Sequence, residues 1–225
     1  MMSRSQDQPT SQVESSDPAF TAYLDAVASS APTPGGGSVV ATVGAAAAAL
    51  GQMVCRVSLE KTKDANIDRA LRSAATTTAD LRHQFLHLRI RDESAFAAYV
   101  AASALPRNDD EEKAARRVAV EMALVEAAAV PMAVAETCQH LLATLEIIAG
   151  LGRTKLLSDV EVALHLAEAV IHGALANVRV NLALMRDEEM RHRLASEMSQ
   201  LENATAVATK RVWTILSTRQ TDTAS

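Results

Sequence analysis

The sequence predicts an all-α fold, a multi-helix bundle built from long antiparallel helices. Two observations carry this. Almost every segment after Pro18 places apolar residues at helical spacing, and no stretch alternates convincingly as a strand would. Hydrophobic residues make up 48% of the chain, mostly Ala, Leu and Val, while aromatic residues supply only 3%. Small side chains of that kind let helices approach closely, whereas sheets favour β-branched and aromatic residues.

The elements follow in order. A short helix is expected over residues 19–29. Pro32-Thr33-Pro34-Gly35-Gly36-Gly37-Ser38 then interrupts the chain, because each proline lacks an N–H and restricts the residue before it. A second helix is expected over 38–60 and a third over 66–104, stopped by Leu105-Pro106. Asn108-Asp109-Asp110-Glu111-Glu112 opens a fourth, its acids suited to the N-terminal dipole. Pro131 is expected to kink or break that helix, which ends near Ile148 at Gly150-Leu151-Gly152. Ser158-Asp159-Val160-Glu161 has the Ser-x-x-Glu form of a capping box and starts a fifth helix to about 185. A last helix covers about 187–217. With 225 residues this makes one helical domain over 18–219, a disordered tail over 1–17 rich in Ser, Gln and Asp, and a flexible end over 220–225.

Composition excludes several functions. A formal charge of -5 argues against general nucleic-acid binding, which needs a dominant basic surface. The apolar run after Ser38 is alanine-rich and interrupted by Thr42, Gln52 and Arg56, so no membrane span is expected there. Cys55 and Cys138 sit among apolar residues in helical patterns. With no secretory signal, they read as buried thiols in a reducing, cytoplasmic compartment.

The Pro32–Ser38 stretch is the strongest local signal. A glycine-rich turn feeding a helix N-terminus presents free N–H groups and positive dipole, and so can hold an anion. The same glycines also serve simply to cap a helix and admit a neighbouring backbone. On the third helix Leu81, Phe85, Leu88, Ala95 and Tyr99 form an apolar stripe, and Asp92 falls on it. A carboxylate there is either used in chemistry or held structurally, in an ion pair or as the cap of a neighbouring helix. On the fifth helix Val170, Ala174, Asn177, Asn181 and Leu184 share a face. The two amides would bind a heteroaromatic ligand, or each other across a subunit contact. Asp159 follows the expected Ser158 cap, where the helix dipole alone favours an acid.

Four of the six histidines fall in i,i+4 pairs: His83 with His87, Glu161 with His165, Glu168 with His172. Di-iron bundles use Glu-x-x-His at three-residue spacing, and that pattern is absent, so no metal is expected.

Together these residues resemble one family over nearly the whole chain after about Phe20. They are Ala31 to Ser38, Arg91-Asp92-Glu93-Ser94-Ala95-Phe96, Leu105-Pro106-Arg107-Asn108, Glu111-Glu112-Lys113, Val130-Pro131, Ser158-Asp159-Val160, and Asn177-Val178 with Asn181-Leu182. Their order and spacing are similar to the cyclodeaminase/cyclohydrolase family of folate enzymes. That family includes the cyclodeaminase half of formiminotransferase-cyclodeaminase and small stand-alone bacterial methenyl-tetrahydrofolate cyclohydrolases.

The resemblance implies an all-α homodimer with the folate site in a cleft near the subunit contact. With no transferase part in these residues, it implies the stand-alone activity: water adds to the cationic amidinium carbon of methenyl-tetrahydrofolate to give formyl-tetrahydrofolate. The tetrahydrofolate derivative is then the substrate, and no tightly bound cofactor is needed. Asp92 and Asp159 would stabilise the cation and take the water's proton. Lys61 would steer a ring nitrogen or a substrate carboxylate. Pro34, Gly35, Gly36, Gly37, Ser38 and Ser158 would shape the pocket, and Asn177 and Asn181 would meet the pterin edge.

The chain departs from the family pattern twice. Relatives usually carry Gly-Lys-Lys-x-Tyr where this chain has Glu60-Lys61-Thr62-Lys63-Asp64, and Gly-Asn where it has Gly152-Arg153. Two alternatives follow: cyclodeamination of formimino-tetrahydrofolate or related ring chemistry on a non-folate substrate, and a non-catalytic helical scaffold.

Overall fold

The computed structural model describes residues 17–224, and they form helices without a strand among them. The order is α1 (Pro18–Ala28), α2 (Gly36–Leu59), α3 (Ala65–Ser103), α4 (Asp110–Leu151), a 3-10 turn over Thr154–Leu156, α5 (Leu157–Leu184) and α6 (Glu188–Ala224). The tail expected over 1–17 lies outside the described residues except for Asp17. That residue belongs to the fold, because its Oδ1 accepts the Phe20 N–H and caps α1.

Helix α2 packs against α3 and α5, and its composition explains its place. Ala41, Ala45, Ala47, Ala48 and Gly44 are buried and leave room for larger neighbours. Phe85 of α3 fills the space over Gly44, where a Cβ would stand 2.6 Å from the ring. Val40 of α2 fills the matching space over Gly173 of α5, again at 2.6 Å. Along α2, Gly37, Gly44 and Gly51 lie against Asp92, Phe85 and Thr78 of α3 in turn. Leu81, Phe85, Leu88 and Ala95 of the expected stripe are buried. By length and composition α2 and α4 would each suffice to cross a membrane. Both carry the bundle's core, which demands the same apolar residues.

Three expectations are corrected. Of the kink or break expected at Pro131 the break does not occur, because α4 is helical from Asp110 to Leu151. Proline removes the N–H that would reach the carbonyl of Ala127, four residues back. Asn181 of α5 supplies that bond instead, Nδ2 to O at 2.6 Å, so the helix continues with its acceptor satisfied. Ser158 is not a cap, because α5 begins one residue earlier, after Leu156, with no side-chain cap. The 3-10 turn over Thr154–Leu156 leads directly into the helix and leaves a capping box no role. Helix α6 runs to Ala224 rather than stopping near 217. Arg219 donates to the carbonyl of Ala149 at 2.6 Å, and Gln220 donates to Glu161 at 2.9 Å. These two contacts hold the extra turns against α4 and α5.

Candidate functional site

The first turn of α2 has no cap of its own. Its N-cap is Gly35, which has no side chain to offer. The carboxylate of Asp92, reaching over from α3, stands against this open turn beside the Ser38 N–H. The anion held by the glycine turn is therefore the protein's own carboxylate. Gly37 is required for this approach: a Cβ there would stand 2.0 Å from Asp92 Oδ1 and 2.5 Å from its carboxyl carbon.

Asp92 is half-buried, and its pKa lies above the usual carboxylate range. Burial is the main cause, and the neighbouring Glu93 charge adds to it. The Ser38 N–H opposes both without cancelling them. Such a group takes up a proton more readily than an ordinary aspartate, as a general base must.

A cleft of about 240 Å³ opens in front of this carboxylate. Asp92, Ala95 and Phe96 of α3 form one wall. Pro32, Thr33 and Gly35 to Gly37 form the lip, Ala127 of α4 the floor, and Asn177, Val180 and Asn181 of α5 the far wall. Pro34, whose bond from Thr33 is cis, does not line the cleft. Ser38 is fully buried behind Asp92.

The two asparagines do not bond to each other. Asn177 Nδ2 donates to the carbonyl of Gly173 at 3.1 Å, and Asn181 Nδ2 donates to Ala127. Each amide has spent its nitrogen on a main-chain carbonyl and keeps an acceptor oxygen for a donor in the cleft.

The other expected residues are not brought to this cleft. Lys61 is exposed in the turn after α2, and Ser158 and Asp159 stand in the first turn of α5. That end of the bundle is marked by Arg153 N–H donating to Ser58 Oγ. At 1.5 Å of rise per residue, Lys61 lies about 35 Å from Gly37 along α2, and Asp159 about 27 Å from Asn177 along α5. Within one chain the two acids are therefore at opposite ends.

The histidines of the i,i+4 pairs, His83, His87, His165 and His172, are all exposed, and His165 meets Glu168 rather than Glu161. His165 Nδ1 lies 3.1 Å from Glu168 and its ring packs edge-on against Trp213. Among the described residues no three His, Cys, Asp or Glu side chains converge as metal ligands would. Cys55 and Cys138 are buried and unpaired. Burial pushes the Cys55 thiol up to about 11 and Cys138 higher still, so neither is a poised nucleophile.

Residues that sequence patterning does not mark also serve the site. Glu93 accepts from Ser38 Oγ at 2.9 Å, and Phe96 and Ala127 line the cleft. Glu93 and Phe96 were signalled only as members of the Arg91–Phe96 stretch that carries the family resemblance. Ala127 had no signal of its own, only its position four residues before Pro131.

The family profile described as formiminotransferase-cyclodeaminase matches residues 19–200. The chain belongs to the formiminotransferase-cyclodeaminase family. Among the relatives of this family member is the methenyltetrahydrofolate cyclohydrolase of Methylorubrum extorquens. It is 35% identical over 191 residues, covering 85% of this chain and 92% of the relative. The formimidoyltransferase-cyclodeaminase of Rattus norvegicus is 34% identical over 195 residues, and there the match spans only 36% of the longer protein. The crystal structure of a formiminotetrahydrofolate cyclodeaminase from Thermotoga maritima superposes with a TM-score of 0.80 at 30% identity. That superposition covers 88% of this chain and 96% of the other. These likenesses span the helices that build the Asp92 cleft.

Proposed function

We propose that this family member is a folate-dependent one-carbon enzyme that hydrolyses methenyl-tetrahydrofolate to formyl-tetrahydrofolate. The observation that carries the reading is the half-buried Asp92 carboxylate at the mouth of α2, facing a cleft with two amide oxygens opposite. The near full-length likeness to a methenyltetrahydrofolate cyclohydrolase supports it.

The substrate's amidinium carbon is already electrophilic, so the protein's task is positioning and proton transfer. The cation lies beside Asp92, which offsets its charge. Water adds to the carbon and gives one proton to Asp92. The resulting carbinolamine collapses: one C–N bond breaks, its electron pair stays on the ring nitrogen, and the hydroxyl proton moves to that nitrogen. Asp92 then releases its proton to solvent. The oxygens of Asn177 and Asn181 accept from N–H groups on the pterin edge. Lys61, Ser158 and Asp159 take no part in the cleft of their own chain.

The reading includes an antiparallel bundle that works as a cytoplasmic homodimer, with a folate as its small-molecule partner and without nucleic acid, membrane or a tightly bound cofactor. Exposed apolar side chains on α3, α4 and α5, of which Phe96 and Val180 line the cleft, support pairing. Phe96 and Val100 on α3, Val118 and Met122 on α4, and Val180 and Leu184 on α5 are all exposed. The reduced, buried cysteines support the compartment.

The altered Glu60–Asp64 segment favours a second reading, cyclodeamination of formimino-tetrahydrofolate, the substrate named for the Thermotoga maritima structure. Parallel assays separate the two. Loss of methenyl absorbance without ammonia release from formimino-tetrahydrofolate supports the hydrolase; ammonia release without accelerated hydrolysis replaces it with the deaminase. Neither activity, in folded protein that binds no reduced folate, leaves the scaffold.

A further inference from the structure

Helix α1 sits on the bundle without burying a single residue. Phe20 and Leu24 on it are about half exposed. A prominent polar contact is the hydroxyl of Tyr23, which lies 3.1 Å from Ser38 Oγ and 3.1 Å from Thr42 Oγ1. The guanidinium of Arg89 covers the Tyr23 ring at 5.2 Å, and Arg89 Nε is buried without a hydrogen-bond partner. That arrangement holds the ring by stacking rather than by an ion pair.

Ser38 is committed on every side. Its N–H lies in the turn against which Asp92 packs, its Oγ donates to Glu93 at 2.9 Å, and its carbonyl accepts from Thr42 Oγ1 at 2.9 Å. Tyr23 adds the remaining contact. The chain from α1 to the carboxylate is therefore Tyr23, Ser38, Asp92. The segment between α1 and α2 supplies the cleft's lip, including Pro32, Thr33 and Gly35. One hydroxyl thus ties down both the lip and the donor that holds Asp92.

We propose that Tyr23 is a positioning residue for Asp92, acting through Ser38, with Arg89 clamping its ring. Removing the hydroxyl loosens Ser38, moves its N–H away from Asp92 and frees the lip. The Ser38 N–H favours the charged carboxylate, so moving it away shifts Asp92 titration upward. The charged and titratable groups around Asp92 are Glu93, Arg89 and Arg91 on its own helix, Tyr23 on α1, and Glu126 on α4, which is engaged by Arg91. From α2 and α5 the nearest polar groups are Ser38, Asn177 and Asn181, none of which titrates in this range.

The test is Tyr23→Phe, which removes one oxygen and keeps the ring under Arg89. This inference rests on the hydrolase reading for its kinetic arm only. The expected kinetic result is a roughly tenfold fall in kcat, the scale of one hydrogen bond, with a smaller change in KM and an upward shift of the acid limb of the pH–rate profile. The second arm needs no activity. Denaturation midpoints of wild type and Asp92→Asn are compared across pH, with and without Tyr23→Phe, and the pH at which the two curves separate reports Asp92. Tyr23→Phe should raise that pH, and Thr42→Val should raise it in the same direction. A variant that is merely less stable, with an unmoved acid limb and an unmoved separation point, overturns the proposal. Wild-type protein without hydrolase activity but with a shifted separation point sinks the hydrolase reading and leaves the positioning role standing.

Discussion

Asn181 donates a 2.6 Å hydrogen bond to the main-chain carbonyl of Ala127, the acceptor that Pro131 leaves without a helical donor. The bond joins α5 to α4 across the cleft, and both residues line it. A proline that would ordinarily interrupt a helix is here matched by an amide on the facing helix. The freed carbonyl fixes the orientation of a side chain that lines the cleft.

Asn181→Ala should destabilise the fold by about 1–3 kcal/mol, because it leaves a carbonyl in the bundle without a partner. Combining it with Pro131→Ala supplies the main-chain N–H that proline lacks. The Asn181→Ala loss should then shrink, giving a coupling of about 0.5–3 kcal/mol in a double-mutant cycle. Urea denaturation of the four proteins measures it, and additive effects would show that the two residues are independent.

Gly37→Ala should abolish turnover more than it harms the fold. The added methyl would stand 2.0 Å from Asp92 Oδ1, so the carboxylate must swing away or α2 must shift. Displacements near 1 Å cost about 100-fold in rate. Helical circular dichroism should survive while hydrolysis falls by at least that factor. An alanine variant with wild-type rates would remove the close approach from the account.

Asp92→Asn should stabilise the protein at neutral pH and lose that advantage in acid. The folded-state pKa of Asp92 is raised, so the native protein holds a proton that the unfolded chain has released. Stability therefore falls as pH rises from the ordinary aspartate range through the raised value, and the deficit is constant above it. Asparagine is free of this loss. Denaturation at pH 7 and again below the ordinary aspartate range checks the sign. A substitution that destabilises more at pH 7 than in acid would mean that the charge is favoured by the fold.

Much of the site was legible because its signals are local. Asp92 stands out as a carboxylate on an apolar stripe, and Gly35 to Gly37 mark a turn that must admit something close. The continuity of α4 through Pro131 was not legible, since the compensating amide comes from another helix 50 residues on. The separation of Asp159 and Lys61 from Asp92 is a matter of helix length. Twenty-four residues of α2 already put its two ends some 35 Å apart, but motif order alone hides that distance. Ser158 was misread as a cap because the preceding 3-10 turn, which starts the helix early, has no strong sequence mark. Tyr23 lies on a short helix with no buried stripe, so nothing in its spacing distinguishes it.

The measurement that bears most directly on the Asp92 cleft is the decay of methenyl-tetrahydrofolate absorbance with wild-type protein, Asp92→Asn and buffer alone. The account predicts a decay well above the spontaneous rate with wild type, reduced to near background in a folded Asp92→Asn variant. Equal rates for wild type and Asp92→Asn would contradict it.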